Sequence, residues 1–233
     1  QQTTLNAQLR GHCLVFSNSK LETSSNLSRY GDMKCHIIYI SITARPWPTA
    51  TLNQHAISIF ISPFRHFQRL GSSSWGKVYF EERFNDGNKW EKRWKVPSKY
   101  EKGTLGKFVL SPGKWHADEK ENMGLQTSED ARFYALTTKF TSFSNKNKPL
   151  VMQFSIKHEQ TIDCGGGYLK LLPANTDQTS FNGDAPYYIM FGPDHCGNKR
   201  QVHVIINYKD KNHMIKKHIP APADDLTHLY TLV

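Results

Sequence analysis

The sequence predicts an all-β fold, a sandwich of antiparallel sheets, on three observations. Short runs rich in aromatic and β-branched residues recur through residues 76–233; clusters of Gly, Pro, Asn or Asp separate them; and no long stretch with a helical period intervenes. Sheets packed face to face bury one side of each strand and leave the other wet, which suits runs of this length and composition.

Taken in order, the strand signals are "GKFVLSPGKW" (106–115), "ARFYALTTKF" (131–140), "LVMQFSIKH" (150–158), "GYLKLLP" (167–173), "YYIMFGP" (187–193) and "VHVIINY" (202–208). "KNHMIKKHIP" (211–220) then runs into a Pro-Ala-Pro-Ala turn ahead of "DDLTHLYTLV" (224–233), an apolar strand that ends the sequence where a turn and a partner strand are expected. Residues 12–54 mix short β-prone runs with Ser, Thr and Pro and sustain no period of 3.6 or 2, so residues 1–75 are expected to be an unassigned, poorly ordered segment. The small-residue stretch "GSSSWGK" (71–77) marks the boundary, and residues 76–233 form the domain.

A hydrophobic content of 38% and an aromatic content of 12% describe a globular chain. The formal charge of +10 is divided evenly: residues 1–75 carry seven basic and two acidic side chains, residues 76–233 carry 23 and 18. With no cluster, zinc-ligand spacing, recognition helix or aromatic RNA-binding motif, no nucleic-acid partner is expected. No apolar run approaches the roughly 18 residues that span a bilayer, and no secretory signal is visible.

The stretch "KHEQTIDCGGGYLKLL" (157–172) sets three glycines behind a cysteine. A phosphate loop would need a Lys-Ser/Thr pair opening a helix, whereas Tyr168–Leu172 continue as a strand; glycines there signal a bulge or a surface that another group approaches closely. Cys164 and Cys196 lie 32 positions apart, each beside glycine, and by the residues alone a bridge and two free thiols are equally compatible. Tyr168, Lys170, Tyr187 and Asp194 combine aromatic faces with donors and acceptors, which a saccharide surface requires and an ordinary strand face also offers. Eleven histidines show no metal-binding helix spacing, carboxylates such as Asp118, Glu119 and Glu121 read as solvated, and no nucleophile stands with a base. The chain is not expected to be an enzyme.

"KHEQTIDCGGGYLKLL" and "IMFGPDHCG" (189–197) together resemble the two signature segments of the calreticulin and calnexin family of lectin chaperones. "VYFEERF", "GLQTSEDARFYAL", "SFSNKNKPL" and "DDLTHLYTLV" extend the likeness from about Val78 to Val233. The resemblance implies a concanavalin- or legume-lectin-like jelly-roll sandwich, here incomplete, that binds monoglucosylated N-glycans on incompletely folded glycoproteins in the endoplasmic reticulum lumen. By position it makes Tyr168, Lys170, Tyr187 and Asp194 glucose contacts, lines the groove with Met190, Gly183 and Asp184, and pairs Cys164 with Cys196. It also implies a structural calcium held through oxygens of Arg83, Glu121 and Met123, Arg83 standing where the family has an amide residue. The family's proline-rich co-chaperone arm, returning lectin strands and acidic tail have no counterpart in these residues, so exposed sheet edges and aggregation are expected. The alternatives are a sugar-independent module for unfolded polypeptide and a fragment without function.

Overall fold

The computed structural model describes residues 12–17, 35–44, 59–63, 77–100, 105–130, 132–145 and 149–233, the first three stretches as backbone only. Fifteen strands are described: β1 (His12–Ser17), β2 (Cys35–Ala44), β3 (Ile59–Pro63), β4 (Val78–Glu82), β5 (Trp94–Lys95), β6 (Phe108–Ser111), β7 (Gly124–Thr127), β8 (Ala135–Phe140), β9 (Leu150–His158), β10 (Cys164–Gly166), β11 (Leu169–Leu171), β12 (Ile189–Cys196), β13 (Lys199–Tyr208), β14 (Lys211–Met214) and β15 (Thr227–Leu232). A single α-helical turn, α1 (Trp90–Arg93), precedes β5.

The strands form two sheets. The first runs β14-β13-β12-β11-β1-β8-β5, with β10 also paired to β12; the second runs β3-β15-β9-β2-β7-β6, with β4 also paired to β2. All the strand pairs are antiparallel. This is the β-sandwich expected from the sequence. Three of its strands, β1, β2 and β3, come from residues 1–75, whose other residues lie outside the described residues.

The core sits between the sheets because alternate residues of facing strands are apolar. Leu169, Leu171, Phe191, Val202 and Val204 from the first sheet join Leu125, Met152, Phe154, Ile156, Tyr230 and Leu232 from the second in one buried cluster. Phe154 bridges the layers: its ring meets Phe191 edge-on with centroids 5.5 Å apart and stacks on Tyr230 at 5.3 Å. Burying one such ring stabilises the fold by roughly 1.5–3 kcal/mol, so these three side chains fasten the sheets together.

Two local devices hold the ends. Glu82, at the end of β4, accepts from Arg93 Nε at 2.8 Å and from Trp94 Nε1 at 3.0 Å, tying α1 and β5 to the second sheet. The β13–β14 hairpin turns at Lys209 and Asp210, both at positive φ, the conformation of a tight two-residue hairpin. Among the described residues β14 is the outermost strand of the first sheet, and all four of its residues are exposed. Among the described residues no helix is long and apolar enough to cross a membrane.

Candidate functional site

Antiparallel partners present their side chains to the same side of a sheet. In the first sheet Lys170 of β11 pairs with Met190 of β12, Met190 with Ile205 of β13, and Ile205 with Met214 of β14. These four side chains form one row on the face turned away from the core. Gly166, Asp194 and Gln201 form a second row, and Gly192 and His203 lie between the two. The ladder thus brings Lys170, Met190 and Asp194, named from the sequence, onto one face, and Tyr168 reaches it through its hydroxyl.

Within this face the polar groups are committed to one another. The Tyr168 hydroxyl donates to Asp194 Oδ1, and the Tyr168 ring stacks on His203 with centroids 6.0 Å apart. His203 Nε2 stands 3.5 Å from Asp194 Oδ2 and 2.7 Å from Gln201 Nε2. Lys170 Nζ donates to the Gly183 carbonyl at 2.9 Å and lies over the Tyr187 ring at 5.1 Å. Tyr168 and Lys170 are each 2% exposed and Asp194 is 5% exposed. Burial, with the neighbouring carboxylate, pushes the Tyr168 phenol far above its ordinary range, and burial pulls the Lys170 ammonium down to about 8. The loop carrying Gly183, Asp184 and Tyr187 folds over Lys170. Asp184 is exposed, with its backbone N–H donating to Asn182 Oδ1, and Tyr187 and Met190 are half-buried.

The middle of the three glycines has a physical reason. A Cβ on Gly166 would overlap the Tyr168 phenol, so the missing side chain is the space in which that ring lies. Gly192, at φ +153°, sits against the Gly167 carbonyl, and any side chain there would strike backbone. The floor of the face is therefore filled by the protein's own tyrosine, and a ligand would meet the rim: Tyr187, Met190, Asp184, Gln201 and Ile205.

Cys164 and Cys196 form a disulfide, S–S 2.04 Å, between directly paired residues of β10 and β12. It closes the end of the face beside Asp194. Cys13 and Cys35 fall in β1 and β2, in different sheets, and their side chains lie outside the described residues.

Arg83 and Met123 approach one another through β2. Glu82 pairs with Ile40 and Leu125 with Ile37 on the same strand, so the chain ends of β4 and β7 converge there. Glu121 lies in the preceding turn, its backbone N–H donating to Asp118 Oδ1 at 3.0 Å. Calcium takes six to eight oxygens, and these three residues supply too few; the Arg83 guanidinium, 2.6 Å from Glu81 Oε1, adds a positive charge at the same end. Among the described residues no group of three or more His, Cys, Asp or Glu side chains could hold a metal. The named residues do not by themselves fit the ion.

Gln201, His203, Ile205 and Met214 were not singled out from the sequence. The period-two alternation of "QVHVIINY" would have put Gln201, His203 and Ile205 on one side, but which side follows only from the register with β12.

The two antiparallel sheets packed face to face define a β-sandwich of the legume-lectin-like fold class. The chain belongs to the calreticulin family, whose sequence pattern matches residues 80–233. It is 58% identical over 157 residues to the calreticulins of Oryctolagus cuniculus, Bos taurus and Homo sapiens, which covers 67% of this chain and 37% of each relative. Among solved structures, the globular domain of Trypanosoma cruzi calreticulin superposes with a TM-score of 0.61 at 45% identity, covering 66% of this chain and 57% of that one. The chain thus spans little more than a third of the length of the curated relatives it matches.

Proposed function

We propose that this chain is a lectin-type chaperone domain of the endoplasmic reticulum lumen that binds the monoglucosylated arm of N-glycans on incompletely folded glycoproteins. The observation that carries this reading is the single face on which the ladder gathers Tyr168, Lys170, Met190 and Asp194, with Tyr187, Gly183 and Asp184 folded beside them. A sugar ring offers hydroxyls and an apolar C–H side together. The rim answers with the Asp184 carboxylate and Gln201 amide for the hydroxyls and with Tyr187, Met190 and Ile205 for the ring. The buried Tyr168–Asp194–His203 set keeps the rim rigid, which lowers the ordering cost of binding. The task is binding and retention, with no reacting group required. Calcium enters this reading only as an ion on main-chain oxygens at the β4/β7 convergence, with most of its ligands coming from elsewhere.

Calorimetry with a glucosylated tri-mannose oligosaccharide tests it. The full chain binds the glucosylated ligand and not its unglucosylated parent, and Tyr187→Ala weakens binding at least about tenfold, equivalent to roughly 1.4 kcal/mol. Equal affinity for both ligands, or none by folded protein, would overturn the reading.

A second reading rests on one observation of its own, the apolar row Met190, Ile205 and Met214 that runs from the site to the sheet edge. That row suits an unfolded polypeptide held without sugar. Suppressed aggregation of a non-glycosylated client, abolished by Ile205→Asp, distinguishes it.

A further inference from the structure

β1 comes from the part of the chain that precedes the family match, yet it lies inside the first sheet and not at its edge. On one side it pairs with β8 through all six of its residues, from His12 opposite Phe140 to Ser17 opposite Ala135. On the other it covers the whole of β11: Leu14 is the Cα partner of Leu171, Val15 of Lys170 and Phe16 of Leu169. β12 supplies the same three residues with partners on their far side.

β11 is only three residues long, so its position depends on the few backbone hydrogen bonds it makes on each flank. Without β1, β8 and β11 would face each other across the width of a missing strand, roughly 10 Å, each with a row of unpaired N–H and C=O groups. Lys170 is the middle residue of β11, and its Nζ reaches the Gly183 carbonyl from that register.

We propose that β1 is a positioning strand for the candidate site: residues His12–Ser17 hold β11, and Lys170 with it, in register with β12. The N-terminal segment then sets the geometry of candidate-site residues that all belong to the family-matched stretch. The consequence for sugar rests on the carbohydrate reading above; the positioning itself does not, and it is measured without a ligand.

Hydrogen exchange on the full chain and on Val15→Pro provides the test. Proline removes a donor and cannot sit in an interior strand. Amides of Leu169–Leu171 are expected to exchange about tenfold faster or more in the variant, while those of Leu150–His158 and Thr227–Leu232 in the second sheet keep their protection. Unchanged exchange at Leu169–Leu171 overturns the proposal. Should Val15→Pro unfold the chain throughout, Lys139→Cys decides, because Cys13 and Lys139 are Cα partners just as the disulfide-bonded Cys164 and Cys196 are. Peptide mapping of the oxidised full chain is expected to find Cys13 joined to the introduced thiol. A thiol that stays free or joins Cys35 overturns the placement of β1.

Discussion

His158 illustrates how much a single side chain can impose on this domain. It ends β9 in the buried layer with its ring 5.2 Å from that of His195, while His228 Nε2 stands 2.6 Å from Asp224 Oδ1 nearby. Burial above all, with the charges of His195 and His228 adding to it and Asp224 opposing, holds His158 down to about 3, and burial also lowers His195. A base whose folded value lies below its unfolded one takes up protons on unfolding, so its stabilising effect is complete above pH 6.5 and is lost as the pH falls towards 3. Between pH 7 and pH 5 the loss is about 2 kcal/mol. Urea midpoints across that range should fall accordingly, and His158→Gln should flatten the dependence; an equal slope in the variant would assign the acid sensitivity elsewhere. At this scale the sequence was informative about chemistry and silent about commitment. Tyr168, Lys170 and Asp194 stood out as polar groups near the glycines, but that the phenol binds a carboxylate 26 residues on and that Lys170 binds a loop carbonyl 13 residues on depend on how β11, β12 and the loop between them fold together.

Among the elements, those with long apolar runs were legible. "LVMQFSIKH" is the whole of β9, because its apolar start and the alternation of Phe154 and Ile156 with Gln153, Ser155 and Lys157 carry the period of two of a strand. β11 was harder: "GYLKLLP" yields only Leu169–Leu171, since β1 and β12 pair with just those three residues. Nothing periodic announced β1, β2 or β3, whose places are set by the strands beside them and not by a pattern of their own. The disulfide was open on the residues and implied by the family likeness, and its partners prove to be directly opposed in the β10–β12 ladder. With 32 positions between the cysteines, removing it by Cys196→Ser should cost roughly 3–4 kcal/mol, read as a lower urea midpoint with an unchanged slope. A midpoint equal to that of the parent would mean that the paired backbone alone holds β10 in place.

For the whole molecule, the family-matched residues 80–233 and the strands that precede them describe one sandwich. Composition alone could not reveal what the net charge of +10 does, since it is spread along the chain. Part of it lies at one margin of the first sheet. β14 offers the outward row of backbone groups at one end of the first sheet, and Lys209, Lys211, Lys216 and Lys217 stand exposed on and around it, with Asp210 the one acid among residues 209–217. Two copies approaching edge to edge would bring these lysines together, so like charge keeps the open strand from templating a second sheet. Light scattering should therefore show a stable monomer at low ionic strength and growing association as salt is raised, most sharply after Lys211→Ser. Association that weakens with salt would point to attraction between opposite charges instead. What began as a surplus of basic residues without a partner then becomes a guard on the sheet's own margin, set against a second copy of the same edge.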